Sequence, residues 1–193
     1  MTFYTMEQKL RQHIEEIVSL SDEEFAFVFS YFTEKHFLKH QYLVQEGNYA
    51  PNDYFVSDGL VKVSRIDEDG KENILQFGTE NSWVSDPQAY HSQTEATLNI
   101  QCLEDTGTLF INFQDREKLC ADFQKLEHFF RKKTTSEQII LQRRILCLIS
   151  NKAKDRYEDL LHQYPGLIQR VPKTLIASYL GVSRETLSRL THM

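Results

Sequence analysis

The chain has 193 residues and a formal net charge of −6, and 40% of its residues are hydrophobic. This length provides for one large domain or two small ones, and the composition is sufficient to fill a core. No apolar run approaches the ~20 residues of a membrane span, and the N-terminus lacks the basic and apolar regions of a signal peptide, so a cytoplasmic protein without a membrane partner is expected.

The charges divide the chain into an acidic and a basic part. Residues 1–115 hold 7 Lys or Arg and 20 Asp or Glu, a net charge of −13, whereas residues 116–193 hold 15 and 8, a net charge of +7. Such asymmetry is typical of proteins in which only one end contacts nucleic acid. Of the two parts, the basic C-terminal one is therefore the candidate for contact with nucleic acid.

Along the chain, two predicted helices come first and a series of predicted strands follows. Two helices are expected between Met6 and Phe32, where apolar residues recur at helical spacing and Ser21 provides an N-cap before acidic residues. Between Lys35 and Phe113 the period becomes strand-like. The apolar runs there, which alternate with glycine-containing turns, are 42–44, 54–56, 60–66, 74–77, 97–103 and 108–113. Many short strands of this kind indicate a sandwich or jelly roll.

No catalytic or metal-binding residues are predicted. The cysteines at 102, 120 and 147 are far apart, so a disulfide framework or a zinc site is not expected. His36 and His40 have no acidic third ligand nearby, and His91 stands alone. The sequence contains no Gly-rich phosphate loop and no nucleophile elbow. These observations argue against an enzyme.

One long helical segment follows, from Gln114 to Ser150, without Gly or Pro. In its first half the apolar residues alternate in steps of four and three, the seam of a two-helix contact. These residues are Leu119, Phe123, Leu126 and Phe130. The seam indicates either a helix pair or a helix that packs only on its own β-domain.

Two short helices joined by a tight turn are predicted over residues 170–190. Pro172 suits the first turn of a helix, and Gly181 suits the left-handed residue that ends it. Ser183 is placed to cap the second helix, which turns Leu187 inward. This pattern is typical of a helix-turn-helix, whose second helix enters a DNA major groove. An ordinary αα-hairpin with a charged, solvated face is the alternative.

The run from Ile176 to Arg189 resembles the helix-turn-helix of the Crp/Fnr family of bacterial transcription regulators. The glycines at 47, 59 and 70, with residues 55–63, are similar to that family's β-roll. The resemblance implies an α+β fold with a jelly-roll-like β-roll (a double-stranded β-helix). It also implies three parts: a cyclic-nucleotide-binding-like sensor domain with N-terminal helices over 1–113, a dimerisation helix over 114–149, and a helix-turn-helix domain over 150–193.

The resemblance also implies partners: double-stranded DNA, a second copy of the chain, RNA polymerase and a small-molecule effector. The seam at Leu119, Phe123, Leu126 and Phe130 would then be the homodimer interface. Arg184 and Arg189 are suited to guanine or phosphate, and Glu185 is suited to cytosine. Phosphate contacts are expected from Lys173, Ser183, Thr186 and Ser188.

The phosphate-binding segment departs from the family pattern. Ser85-Asp86 stands where cyclic-nucleotide binders have Gly-Glu, and Thr94-Glu95 stands where they have an arginine. Residues 72–115 contain no Lys or Arg, so a bound phosphate would lack its charge-assisted partner. Binding of cAMP or cGMP in the usual mode is therefore not expected. Because the first hundred residues contain no cysteine, an iron–sulfur cluster is not expected either.

In the family this segment lines a ligand pocket. The residues predicted to line the pocket in this chain either fill it or leave room for an unidentified effector that is neutral or apolar. They are Phe77, Trp83, Val84, Ser85, Asp86, Tyr90 and Thr94.

The sequence also lacks the β-hairpin wing that follows the recognition helix in the family, because it stops at Met193. Either the protein dispenses with the wing or the sequence is shortened. The sequence thus predicts a homodimeric transcription regulator that reads a palindromic operator with the helix around 183–190. The alternative, which the missing wing favours, is a ligand- or partner-binding module whose helix-turn-helix no longer reads DNA specifically.

Overall fold

A computed structural model describes residues 4–190. The chain forms two compact units. Of the described residues, the N-terminal unit holds 4–64 and 77–133, and the C-terminal unit holds 65–76 and 134–190. The predicted absence of a wing concerns the chain after residue 190 and lies outside the described residues. The three-part division of the chain stays a prediction.

Helices lie at both ends of the described chain, and one short helix lies among the strands. They are α1 (Met6–Glu15), α2 (Asp22–Phe29), α3 (Pro87–Ser92), α4 (Phe113–Asp122), α5 (Gln124–Ser150), α6 (Ala153–Gln163), α7 (Leu167–Arg170), α8 (Lys173–Leu180) and α9 (Arg184–Leu190). None of the helices described between residues 4 and 190 combines the length and the apolar character that crossing a bilayer requires.

The strands lie between α2 and α4. They are β1 (Thr33–Phe37), β2 (Tyr42–Val44), β3 (Asn52–Asp58), β4 (Val61–Ile66), β5 (Glu72–Gly78), β6 (Trp83–Val84), β7 (Asn99–Cys102) and β8 (Thr106–Asn112). They form two four-stranded sheets with the orders β1-β8-β3-β6 and β2-β7-β4-β5. This arrangement confirms the predicted α+β class with a roll of two sheets.

Local signals in the sequence explain how the first two helices begin. Thr5 and Ser21 each cap a helix through a capping box, in which the side chain accepts from the backbone of the third helical residue. The residue at that position, Gln8 or Glu24, in turn accepts from the backbone of the cap. The predicted cap at Ser21 is therefore present.

The N-terminal unit has two apolar clusters on opposite faces of the first sheet. Tyr54 and Val56 of β3 point into the cluster between the sheets, whereas Phe55 points into a second cluster under α1, α2, α4 and α5. In β6, Val84 and Trp83 divide in the same way. Because side chains alternate along a strand, one strand supplies both clusters.

The predicted continuous helix over 114–150 is divided at Phe123, which leaves helical geometry with φ −137° and ψ 90°. Three of the four predicted seam residues, Leu119, Leu126 and Phe130, are buried in the cluster under the helices. Phe123 is partly buried against the same cluster. The structure thus corrects the predicted dimer interface, because side chains that the protomer's own core encloses are not available to a partner.

Candidate nucleic-acid interface and sensor pocket

The predicted helix-turn-helix is formed by α8, a three-residue turn and α9. Gly181 ends α8 in the left-handed region with φ +64°, where a side chain would be strained. Ser183 caps α9, because its Oγ accepts from the N–H of Thr186 at 3.2 Å. Leu187 of α9 is buried, as are Ile176 and Leu180 of α8. Apolar contacts therefore hold the two helices together.

The residues predicted to contact DNA lie on the exposed side of this motif. Five of the seven side chains are exposed and two, Thr186 and Ser188, are half-buried. The exposed ones are Lys173, Ser183, Arg184, Glu185 and Arg189. Two guanidinium groups and one carboxylate on a short exposed helix are donors and acceptors of the kind that read base edges.

Neighbouring side chains already order part of this surface. Arg189 donates from Nη2 to Thr186 Oγ1 at 3.3 Å. Hydrogen bonds from its own backbone and from Ser183 lower the pKa of Glu185, so this carboxylate is an acceptor at neutral pH. Arg184 and Arg189 also lower this pKa through their charges.

The carboxylate of Asp86, the residue predicted to stand where cyclic-nucleotide binders have a glutamate, is used within the fold. It caps α3 by accepting from the N–H of Ala89 at 3.1 Å. The same carboxylate accepts from the N–H and hydroxyl of Thr97 at 2.6 and 3.0 Å, and from the N–H of Leu98 at 3.1 Å. Since Asp86 is only 2% exposed, its oxygens serve the fold rather than an open pocket.

The seven predicted pocket residues occupy different environments. Trp83 packs under the helices, and its ring centroid lies 5.5 Å from that of Phe130. Val84 belongs to the cluster between the sheets, whereas Thr94 is exposed. Phe77, Asp86 and Tyr90 are buried and Ser85 is half-buried. The structure therefore distributes these residues over both faces of the sheet and the surface instead of around one pocket.

A buried ion pair that sequence reasoning missed lies beside α3. Arg116 of α4 donates from Nη1 to Asp53 Oδ2 of β3 at 2.9 Å, and the side chains are 13% and 9% exposed. The Arg116 guanidinium also lies 4.1 Å from the ring centroid of Phe130. Burial raises the pKa of Asp53, although Arg116 opposes that shift. No local signal joins two residues 63 positions apart.

Several buried polar atoms of the described N-terminal unit have no hydrogen-bond partner in the structure. They include Oδ1 of Asp53, the hydroxyl of Tyr90, Nε1 of Trp83 and both ring nitrogens of His13. The His13 ring lies 5.0 Å from that of Phe55 and 5.9 Å from that of Phe129. Burial is the main reason that the pKa of His13 falls to about 4.

The second half of α5 exposes an apolar surface. Leu141, Ile145 and Leu148 follow one another in steps of four and three, and they are 44%, 56% and 43% exposed. Further exposed apolar side chains on this stretch are Ile139, Ile140, Leu146 and Ile149. The seam that the sequence predicted at 119–130 thus has its exposed counterpart about twenty residues later.

The described residues contain no group of three or more His, Cys, Asp or Glu that could hold a metal ion. Cys102, Cys120 and Cys147 are free thiols. Burial raises the pKa of Cys120 to about 11, so this thiol is protonated at neutral pH. The expectations about cofactors stay predictions.

Comparison with known proteins finds similar chains among bacterial regulatory proteins. Residues 34–123 match the family model described as cyclic nucleotide-binding domain. The chain is 27% identical over 165 residues to the anaerobic regulatory protein of Bacillus subtilis, a match that covers 86% of this chain and 64% of that protein. It is 26% identical to the regulatory protein HlyX of Actinobacillus pleuropneumoniae, which covers 79% of this chain and 67% of that protein.

A solved structure shows the same fold. FixK2 from Bradyrhizobium japonicum superposes with a TM-score of 0.73 at 20% sequence identity, and 83% of each chain is covered. The chain therefore spans somewhat less than two thirds of the Bacillus subtilis relative and most of FixK2.

Proposed function

We infer that this chain is a DNA-binding transcription regulator of the Crp/Fnr type that acts in the cytoplasm. The observation that carries this inference is the exposed face of α9, where Arg184, Glu185 and Arg189 follow a turn that Ser183 caps. Base-reading helices present such side chains to the major groove. The relatives named above are regulatory proteins rather than enzymes.

We propose that the regulator is a homodimer. Two recognition helices related by a two-fold axis would read two inverted half-sites. The surface that supports pairing is the apolar stretch of α5 between Ile139 and Ile149, since a stripe of exposed Leu and Ile on a helix is stabilised by burial against a second copy. RNA polymerase is a further proposed partner of the DNA-bound dimer.

We propose that the protein does not bind a cyclic nucleotide in the usual mode, so an effector would be a different kind of molecule. Two observations support this proposal. The carboxylate of Asp86 is occupied by four internal donor groups, and no Lys or Arg lies between residues 72 and 115, while Arg116, which lies beside α3, is already paired with Asp53. A desolvated phosphate without a cationic partner binds poorly.

Selection from a randomised DNA pool by the full chain tests the proposed function. We expect two inverted half-sites spaced ~34 Å apart. Arg184→Ala should then cost ~1–3 kcal/mol of binding free energy and relax one base position. Lys154→Ala is the matched control, because it removes an exposed cation from α6.

The outcomes are distinct. Equal weakening on all sequences would assign Arg184 to a phosphate. Binding that shows no sequence preference and vanishes at modest salt would contradict a sequence-reading regulator.

A further inference from the structure

The end of α8 is held by groups from two other helices of the C-terminal unit. A helix leaves its last four carbonyl oxygens without intrahelical partners. In α8 the turn supplies donors for two of them: Gly181 N–H reaches Ser178 O at 3.1 Å, and Val182 N–H reaches Ala177 O at 3.0 Å. The carbonyls of Tyr179 and Leu180 come next in the chain.

Two arginines, Arg144 and Arg156, donate to these two carbonyls, and these contacts together form a clamp on the end of α8. Arg144 of α5 donates from Nη2 to Tyr179 O, and its guanidinium carbon lies 3.7 Å from the centroid of the Tyr179 ring. Arg156 of α6 donates from Nε to Leu180 O at 3.0 Å and from Nη1 to Asn151 O at 2.8 Å. Cations at the C-terminus of a helix are favoured by its dipole.

The surroundings restrict how these groups can move. Tyr179 is 4% exposed and Leu180 is fully buried, and both arginines are half-buried. Burial lowers the pKa of Arg144. A Cβ at Gly181 would lie 3.8 Å from Leu148 of α5, so the turn itself lies against the same helix. Charge-assisted bonds in such a setting are stronger than exposed ones.

We propose that Arg144 and Arg156 are positioning residues that set the direction of α9, and hence the base selectivity of the protein, without touching DNA. This inference rests on the proposed function. The turn between the clamped carbonyls and Arg184 has three residues, Gly181, Val182 and Ser183. Over so short a connection, a shift at the end of α8 is passed to the start of α9.

Hydrogen-exchange mass spectrometry on the full chain without DNA tests the clamp itself. Arg144→Met should raise exchange of the amides of residues 181–187 roughly tenfold, because the turn can then open locally. Arg144→Lys keeps the positive charge and an N–H donor for the carbonyl of Tyr179, so it should restore part of the protection from exchange. Arg143→Met is the matched control, since Arg143 is an exposed neighbour on the same helix. Unchanged exchange in Arg144→Met would overturn the clamp.

DNA binding tests the consequence for selectivity. The ratio of affinities for the selected and a scrambled sequence should fall about tenfold in Arg144→Met and Arg156→Met, the size of one mismatched base pair. The salt dependence on the scrambled sequence should stay the same, because neither arginine neutralises a phosphate.

Equal loss on both sequences would indicate a merely structural role and overturn the positioning role, and so would a smaller salt slope. A wild-type chain that selects no sequence would contradict the proposed function, while the exchange result would still support or overturn the clamp.

Discussion

Two buried carboxylates of the described N-terminal unit, Asp86 and Asp53, are accommodated in different ways. Asp86 accepts hydrogen bonds from the backbone of Ala89, Thr97 and Leu98 and from one hydroxyl, all within twelve residues along the chain. Asp53 is paired with a single cation, Arg116, from a distant helix. Local dipoles satisfy the carboxylate of Asp86, whereas a long-range ion pair compensates the charge of Asp53.

The difference shows that the α3 segment is stabilised by residues close to it in the chain, whereas the contact between β3 and α4 depends on one pair of distant residues. Several short hydrogen bonds satisfy a carboxylate without a counter-charge. An ion pair in the interior is strongly dependent on both partners, because the loss of one leaves a desolvated charge. We therefore expect the α3 segment to tolerate changes elsewhere, whereas the contact between β3 and α4 should be sensitive to a single substitution.

The largest effect is expected from Arg116→Met. This variant leaves Asp53 buried without its cation, so the free energy of unfolding in urea at pH 7 should fall by about 3–5 kcal/mol. The loss should shrink as the pH is lowered, because protonation of Asp53 removes the uncompensated charge. The double variant Asp53→Asn/Arg116→Met should recover about half of the loss. Equal stability of the single and double variants would show that the ion pair is not what holds β3 to α4.

A smaller effect is expected from Asp86→Ala. The change removes the acceptor for four donor groups, and we expect a loss of about 3 kcal/mol in the same urea measurement. Asn112→Ala is the matched control, because Asn112 caps α4 with one backbone hydrogen bond and should cost about 1 kcal/mol. If the two variants lost the same free energy, the bonds to Thr97 and Leu98 would contribute nothing beyond the cap.

The smallest effect concerns His13, which lies in the cluster under the helices. Its pKa is about 4 in the folded chain against 6.5 in the unfolded one, so the unfolded chain binds the proton first as the pH falls. Its contribution to stability is present above pH 6.5 and is lost as the pH falls from 6.5 towards 4. Between pH 7 and pH 5 this should cost the wild type about 2 kcal/mol. The carboxylate of Glu16, 3.6 Å from His13 Nδ1, is largely exposed and offsets little of this.

The variant His13→Phe tests that contribution. A phenyl ring fits the aromatic surroundings of Phe55 and Phe129 and does not titrate, so the difference in unfolding free energy between pH 7 and pH 5 should be smaller by about 2 kcal/mol. Urea unfolding at the two pH values provides the comparison. The same pH dependence in both proteins would assign it to other groups.

The elements that the sequence predicted well depend on contacts between residues that are only a few positions apart in the chain. The caps at Ser21 and Ser183 and the left-handed Gly181 were predicted because such residues satisfy nearby backbone groups. Alternating apolar residues likewise predicted the strands of the roll. The short strands β1 and β6 were not predicted, since β1 is mostly exposed and polar and β6 has two residues.

The sequence by itself thus determined the two-sheet roll, the helix-turn-helix and the division into an acidic and a basic part. Only the tertiary structure decided what covers each apolar or charged group. The seam from Leu119 to Phe130 was recognisable as apolar, but the spacing is the same whether a helix packs on its own sheet or on a partner. Pairs such as Asp53 with Arg116, or Arg144 with Tyr179, are 63 and 35 residues apart. They exist because the chain topology brings distant segments together, which no local pattern encodes.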